Sequence, residues 1–332
     1  MVTLVRAAAL THFSEVMKGL GGDPDSCMRR VGLRPSMVSE QDQMLDSSLV
    51  AALLEEAVRA TGCESFGLRM AQTRQLSNFG AVSFLLMHQP TLRHVLLTLI
   101  EHIHSLNEAL VLQLEEAGEY VILREDFLSN VPRRQSMELA IGVLFRTCEA
   151  VLGDRWRPQS VCFSHSAPLD AGPHKRMFRC RVDFGADFSG IVCRAADLNE
   201  PPSLADPTLV RYARTVVESA PKGRSATTGE QVRKAIHAML PSGGATCKSV
   251  AQGLGRSVRT LQRELDAEGL SFTDLLEEAR QNLARRYVSD TRYSIGQIAA
   301  LLGYGSHSTF TRWFTSNFGK SPEAWRHSLR EG

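Results

Sequence analysis

The sequence predicts an α+β N-terminal domain followed by an all-α C-terminal domain with two helix-turn-helix units joined by a linker helix. Three observations carry this prediction. The N-terminal part mixes apolar stripes of helical period with a stretch of period-two alternation. The C-terminal part shows helical period only, and one helix–Gly–helix unit occurs in it twice. Between them, ESAPKGRSATTG has the composition of a flexible connector. The expected boundaries are 1–217 for the N-terminal domain, 218–229 for the linker and 230–332 for the helix-turn-helix domain.

Residues 3–20 carry Phe13, Val16, Met17 and Leu20 at helical spacing and end at Gly21-Gly22, which predicts a first helix. Asp23-Pro24 opens a second, with Met28 and Val31 inward. Residues 33–46 are polar and read as a loop. Asp46 or Ser47 caps the next helix, which runs through Leu49, Ala52, Leu53 and Val58 to Gly62. Helices are also expected over 66–72, 79–87 and 90–107, the last burying Leu92, Val95, Leu96, Leu99, Ile103 and Leu106. The period then changes: Leu110, Leu112 and Leu114 alternate, and Tyr120-Val121-Ile122-Leu123 follows a Gly-containing turn, which is a hairpin pattern. Residues 132–152 return to helical period. Strands at 160–163, 181–184 and 190–194 and a short helix at 174–178 complete this domain.

In the C-terminal part, Val250, Ala251 and Leu254 line a short helix that Gly255 breaks. Ser257 caps a second helix with Val258, Leu261 and Leu265 inward and Arg259, Gln262 and Arg263 outward. Residues 294–326 repeat the unit. Ile295, Ile298, Ala299 and Leu302 line its first helix, Gly303 stops it and Ser306 caps the next. There Phe310, Trp313 and Phe314 face inward, while His307, Ser308, Thr311 and Arg312 share the outer face. Gly319 ends that helix and Ser321-Pro322 opens another. Both units carry Ser-x-x-x-apolar-x-Arg: Ser257, Leu261, Arg263 and Ser306, Phe310, Arg312.

Between them Ser271 caps a helix over 272–289 with the stripe Leu275, Leu276, Ala279, Leu283 and Tyr287. About 19 helical residues span roughly 28 Å, and recognition helices on the ends of such a strut reach successive major grooves, ~34 Å apart on one face of DNA. Arg312 suits bidentate donation to guanine, and His307, Ser308 and Thr311 suit bases or phosphates. A solvated face on an ordinary three-helix core is the bland reading of one such unit; the repeat favours DNA.

Residues 229–330 resemble the DNA-binding domain of AraC/XylS-type transcription regulators. The matching residues are Ser257, Leu261 and Arg263; Ala284-Arg285-Arg286; Ser294-Ile295 with Ile298-Ala299; and Gly303-Tyr304, Ser306, Phe310, Arg312, Phe314, Phe318-Gly319, Ser321-Pro322 and Arg326. The resemblance implies base contacts from Arg259, Gln262 and Arg263 and from His307, Ser308, Thr311 and Arg312. One departure stands out. The family usually continues Arg-x-Phe-Lys-Arg, whereas this chain reads Arg312-Trp313-Phe314-Thr315-Ser316, so two backbone-contacting cations are replaced.

Residues 15–210 are similar to the arabinose-binding-type N-terminal domain of one branch of these regulators. The similarity rests on HKRMFRCRVDFG, from His174 to Gly185, then on Leu198-Asn199-Glu200-Pro201, Ala205-Asp206-Pro207 and Leu209. That domain accompanies regulators of varied ligands, so its name does not imply arabinose. The resemblance implies a sequence-specific transcription regulator, more often an activator, with promoter DNA, a small-molecule effector and RNA polymerase as partners and a homodimer as an available state. One alternative is a ligand-independent regulator whose N-terminal domain dimerises or binds a protein. Another is a DNA-binding enzyme of alkyl-transfer repair type, which needs a close Cys cluster for zinc that this sequence lacks. No enzyme activity, cofactor or metal is expected.

A chain of 332 residues is long enough for two cores. Net charge is +2, and it divides unevenly: residues 230–332 hold 14 Lys and Arg against 10 Asp and Glu, the remainder 24 against 26. The seven scattered cysteines, without a CxxC pair, suit reduced thiols. No signal segment or long apolar run appears, so a cytoplasmic protein without membrane partners is expected. Glu101, His104 and Glu108 share a helical stripe near His94 and His102, and a solvated helix face accounts for them. Cys162 and His165 read as a strand and a loop residue rather than a catalytic pair. Gly319-Lys320-Ser321 lacks the Gly five positions earlier that a phosphate loop needs; Phe314 stands there. Arg124, His165, His174 and Arg179 are candidate polar groups for a sensor pocket, and spacing does not bring them together.

Overall fold

The computed structural model describes residues 2–80, 82–128, 134–154, 156–201, 227–240, 245–254, 256–289 and 293–328. The main division of the chain falls between residues 225 and 226 and separates two compact units. Most of the predicted linker, Ala205-Asp206-Pro207, Leu209, Gly255 and the side chain of Arg286 lie outside the described residues.

The N-terminal unit opens with β1 (Leu4–Arg6), a 3-10 turn (Ala7–Leu10), α1 (Phe13–Gly19), α2 (Pro24–Arg30), α3 (Pro35–Val38) and β2 (Met44–Asp46). Then come α4 (Ser47–Thr61), α5 (Phe66–Gln72), a 3-10 turn (Leu76–Phe79), α6 (Val82–Met87) and α7 (Leu92–Leu106). The hairpin β3 (Leu110–Ala117) and β4 (Tyr120–Phe127) is followed by α8 (Arg134–Leu152), β5 (Ser160–Phe163), α9 (Gly172–Phe178), β6 (Arg181–Phe184) and β7 (Ser189–Arg194).

The five-stranded sheet has the order β3-β4-β7-β5-β6. Every neighbouring pair is antiparallel except β5 and β6, which run parallel because α9 supplies the crossover such a pair needs. Gly118, at φ +67, gives the β3–β4 turn its left-handed residue. Alternation along β4 buries Val121, Leu123, Glu125 and Phe127. Helix α5 crosses α8 so closely that a Cβ on Gly67 would lie 2.0 Å from the Gln135 carbonyl oxygen. Gln135 locks the crossing: Gly67 N–H donates to its Oε1 at 2.8 Å, and its Nε2 donates to the Glu64 carbonyl at 2.8 Å.

The structure corrects the reading of the N-terminus. Residues 3–20 are not one helix. Leu4–Arg6 pairs antiparallel with Met44–Asp46, inside the segment read as a loop. The Ala7 and Ala8 N–H groups donate to the Gln43 and Gln41 carbonyls, and Leu4 N–H donates to the Glu108 carboxylate at 2.8 Å. These distant partners satisfy donors that a helix would have satisfied locally. His12, at φ 63, turns the chain before α1 begins. The buried face of α4 is Val50, Leu53, Leu54 and Ala57, so Leu49 and Ala52 sit at its edge.

The C-terminal unit consists of α10 (Thr228–Met239), α11 (Cys247–Gly253), α12 (Val258–Ala267), α13 (Phe272–Ser289), α14 (Ile295–Leu301), α15 (His307–Phe318) and α16 (Pro322–Ser328). Helix α10 starts inside the segment read as the linker. Thr227 caps it in a reciprocal box with Glu230, and Val232, Ile236 and Leu240 enter the core. One apolar core runs through both helix-turn-helix units, from Val250, Leu261 and Leu265 to Ile298, Leu302, Phe310 and Phe314.

Candidate nucleic-acid interface

Each unit positions its second helix by the same local device. Ser257 caps α12 by accepting the Thr260 N–H at 3.1 Å, and Ser306 caps α15 by accepting the Thr309 N–H at 3.2 Å. Gly303, at φ +74, makes the turn between α14 and α15, and Gly319, at φ +73, ends α15. Leu261, Phe310 and Phe314 are fully buried. With those residues fixed inward, helical geometry turns Arg259, Gln262 and Arg263 outward on α12 and His307, Ser308 and Arg312 outward on α15, all exposed. Thr311 differs from its neighbours. It is half-buried, and its Oγ1 is enclosed without a hydrogen-bond partner.

Helix α13, 18 residues long, spans about 27 Å at 1.5 Å per residue. It holds α15 through side chains spaced along one face. Trp313 Nε1 donates to the Glu277 carboxylate at 2.5 Å, Gln281 Nε2 donates to Asn317 at 2.8 Å, and the Arg285 guanidinium lies 5.1 Å above the Phe318 ring. On the other side Arg233 of α10 meets Glu278 at 3.1 Å.

Among the described arginines of this unit, two sets contrast. Arg256 meets Glu264 at 3.1 Å and Gln231 at 2.8 Å. Arg280 donates to the Leu302 carbonyl at 3.2 Å and stacks over Tyr304, and Arg326 donates to the Val288 carbonyl at 2.8 Å. These cations tie helices together. Arg259, Arg263 and Arg312 meet no carboxylate and no acceptor among the described residues. Their five-donor guanidinium forks face solvent on the two helices that a helix-turn-helix presents to DNA. Thr315 hydroxyl donates to the Thr311 carbonyl at 2.8 Å, so it folds back onto its own helix.

The other candidates disperse. Arg124 pairs with Glu115 on the hairpin at 2.7 Å. His165 and His174 do come together, around the buried Glu138: its Oε1 lies 3.2 Å from His174 Nε2, 3.7 Å from His165 Nε2 and 3.3 Å from Arg134 Nε. Burial lowers the His165 pKa, and the Ser166 carbonyl and Glu138 oppose that shift. Arg179 pairs instead with Glu149. The Cys162 thiol, pushed up mainly by burial, lies 3.8 Å from Ser160 Oγ on β5, while the His165 ring packs against Phe163 and Phe184. Glu108 is occupied by the Leu4 N–H, and His94 Nδ1 lies 2.8 Å from the Thr91 hydroxyl. Among the described residues no group of three or more His, Cys, Asp or Glu is placed to hold a metal ion. Gly319 and Ser321 act as the C-cap of α15 and the opening turn of α16. All seven cysteines are free, and among the described residues no helix is long and apolar enough to cross a membrane.

Paired helix-turn-helix units on one strut, with free guanidinium groups outward, define a DNA-binding regulator module. Residues 250–328 match the family described as helix-turn-helix domain, and residues 21–202 match the arabinose-binding domain of AraC transcription regulator, N-terminal. The chain belongs to the AraC family of DNA-binding transcription regulators. It is 28% identical over 328 residues to the HTH-type transcriptional regulator VirS of Mycobacterium tuberculosis, covering 98% of this chain and 96% of that one. Identity to the ornithine utilization regulator of Pseudomonas aeruginosa is 22% over 302 residues, 89% of this chain and 88% of the other. The transcriptional activator NphR of Rhodococcus sp is 33% identical over 96 residues, 29% of each chain.

Proposed function

We propose that the C-terminal unit binds a specific promoter sequence with α12 and α15 in adjacent major grooves. Arg259, Gln262 and Arg263 read one groove. His307, Ser308 and Arg312 read the next, with Thr311 at the edge of that face. The observation that carries this reading is the set of exposed guanidinium groups on both recognition helices that meet no partner among the described residues, in a unit where Arg256, Arg280 and Arg326 are bound inward. Phosphate contacts supply much of the affinity and the outward side chains the specificity. With Thr315 and Ser316 in place of two cations, α15 grips the backbone with fewer charges than is usual in the family.

The proposed division is 1–217 for sensing or dimerisation, 218–229 for the linker and 230–332 for DNA binding; the start of α10 at Thr228 favours a boundary slightly earlier. A small-molecule effector on the N-terminal domain shifts the chain between states of different DNA affinity or polymerase contact. The likeness to NphR, named a transcriptional activator, supports activation with RNA polymerase as partner, in the cytoplasm where promoter DNA lies. A second reading, a ligand-independent regulator whose N-terminal domain dimerises or binds a protein, is favoured by Phe84 on α6 and Leu97 on α7, each 49% exposed.

A footprint on the DNA upstream of the gene, with and without an extract of cellular small molecules, separates the two. Protection that changes with extract supports the effector reading. Protection that is identical in both supports the second.

A further inference from the structure

A cleft of about 610 Å³ opens in the N-terminal unit between the end of α5, the outer side of α8 and the end of α9. That is within the ~300–1,000 Å³ of small-molecule sites. Its wall holds four arginines, Arg74, Arg146, Arg176 and Arg179, and two acids, Glu149 and Asp154. Glu149 is already shared: one oxygen takes Arg146 at 2.7 Å and the other takes Arg179. Arg176 is exposed and meets no acceptor among the described residues.

Arg74 is the informative residue. It is 5% exposed, and its guanidinium donates to the Ala8 carbonyl at 2.6 Å and to the Ala9 carbonyl. No carboxylate among the described residues meets it, and burial draws its pKa down to about 10. A buried cation without a counter-charge is costly, and an anion placed against it offsets that cost. Leu76, Phe79, Val143 and Met177 line the same cleft, so it offers an apolar surface beside the cations.

We propose that this cleft is an organic-anion site, with a carboxylate held between Arg74 and Arg176 and an apolar body against Phe79, Val143 and Met177. The inference deepens the effector reading and rests on it only for the regulatory consequence. The apolar wall selects against inorganic anions. The guanidinium groups select against neutral molecules of the same shape, because a carboxylate offers two charged acceptor oxygens to the paired donors and an alcohol does not.

The test uses the full chain and calorimetric titration with hexanoate, octanoate, benzoate, their matched alcohols and inorganic phosphate. At least one carboxylate binds; its alcohol and phosphate bind far more weakly. Arg176→Gln weakens the carboxylate by about tenfold or more, as expected for one charge-assisted hydrogen bond. Lys175→Gln, next in sequence and outside the cleft, binds as the wild type does. Melting curves without ligand check that both variants fold. The proposal is overturned if no carboxylate binds, if the alcohol binds equally, or if Arg176→Gln binds unchanged. The footprint with the bound carboxylate separates this from the effector reading. Tight binding with an unchanged footprint leaves the anion site standing and removes the gating. A footprint that responds to extract equally in wild type and Arg176→Gln keeps the gating and moves the sensor elsewhere.

Discussion

Glu125 sits on the buried face of β4 beside Val121, Leu123 and Phe127, with one carboxyl oxygen that meets no donor. Burial pushes its pKa up to about 8. The folded value therefore lies above the unfolded one of roughly 4.3. The folded chain keeps a proton that the unfolded chain releases, so stability falls as pH rises between these two values and levels off above the folded one. The slope approaches about 1.4 kcal/mol per pH unit. Glu125→Gln removes this dependence. Denaturant unfolding at pH 5.5 and 7.5 should show the variant gaining about 2 kcal/mol over the wild type between the two conditions. An equal difference at both pH values contradicts the assignment. On the proposed DNA-binding face, Arg312→Ala should cost about 1–3 kcal/mol on the cognate site and relax base preference at one position. A uniform loss on every sequence instead makes Arg312 a phosphate contact.

At the scale of elements, the crossing of α5 and α8 depends on Gly67, where the Gln135 backbone occupies the space a Cβ needs. Gly67→Ala must push the helices apart and break the two hydrogen bonds of Gln135. A loss of about 2–3 kcal/mol or more is expected in denaturant unfolding of the N-terminal unit. A loss below 0.5 kcal/mol, the scale of an ordinary surface change, contradicts the crossing. The same scale shows what the sequence discloses. The helices from α11 to α16 are legible because their signals are local: Ser257, Ser271, Ser294 and Ser306 accept N–H groups three residues on. The strands β1 and β2 are not, because each is defined by a partner about forty residues away in sequence, and neither three-residue run has a period of its own. Helix α10 carries readable signals, the Thr227–Glu230 box and the Val232, Ile236, Leu240 stripe, hidden behind a connector-like composition.

For the whole molecule, the outward residues of the two recognition helices are legible and the arginine-lined cleft is not. Arg259, Arg263 and Arg312 follow from helical spacing once Leu261 and Phe310 are placed inward. Arg74 and Arg176 line one cleft only because the chain after α5 and helix α9 converge on α8, and no spacing announces that. The same contrast explains why His165 and His174 gather at Glu138 while Arg124 and Arg179 part company.

In the proposed complex α13 holds α12 and α15 at a fixed separation, each in its own groove. Hydroxyl-radical footprinting of the full chain tests it most directly, with wild type, Arg263→Ala and Arg312→Ala on the same upstream DNA. Two protected patches are expected on one face of the duplex, about one helical turn apart. Arg263→Ala should weaken one patch and Arg312→Ala the other. A single protected turn, or both substitutions erasing the same bases, contradicts it.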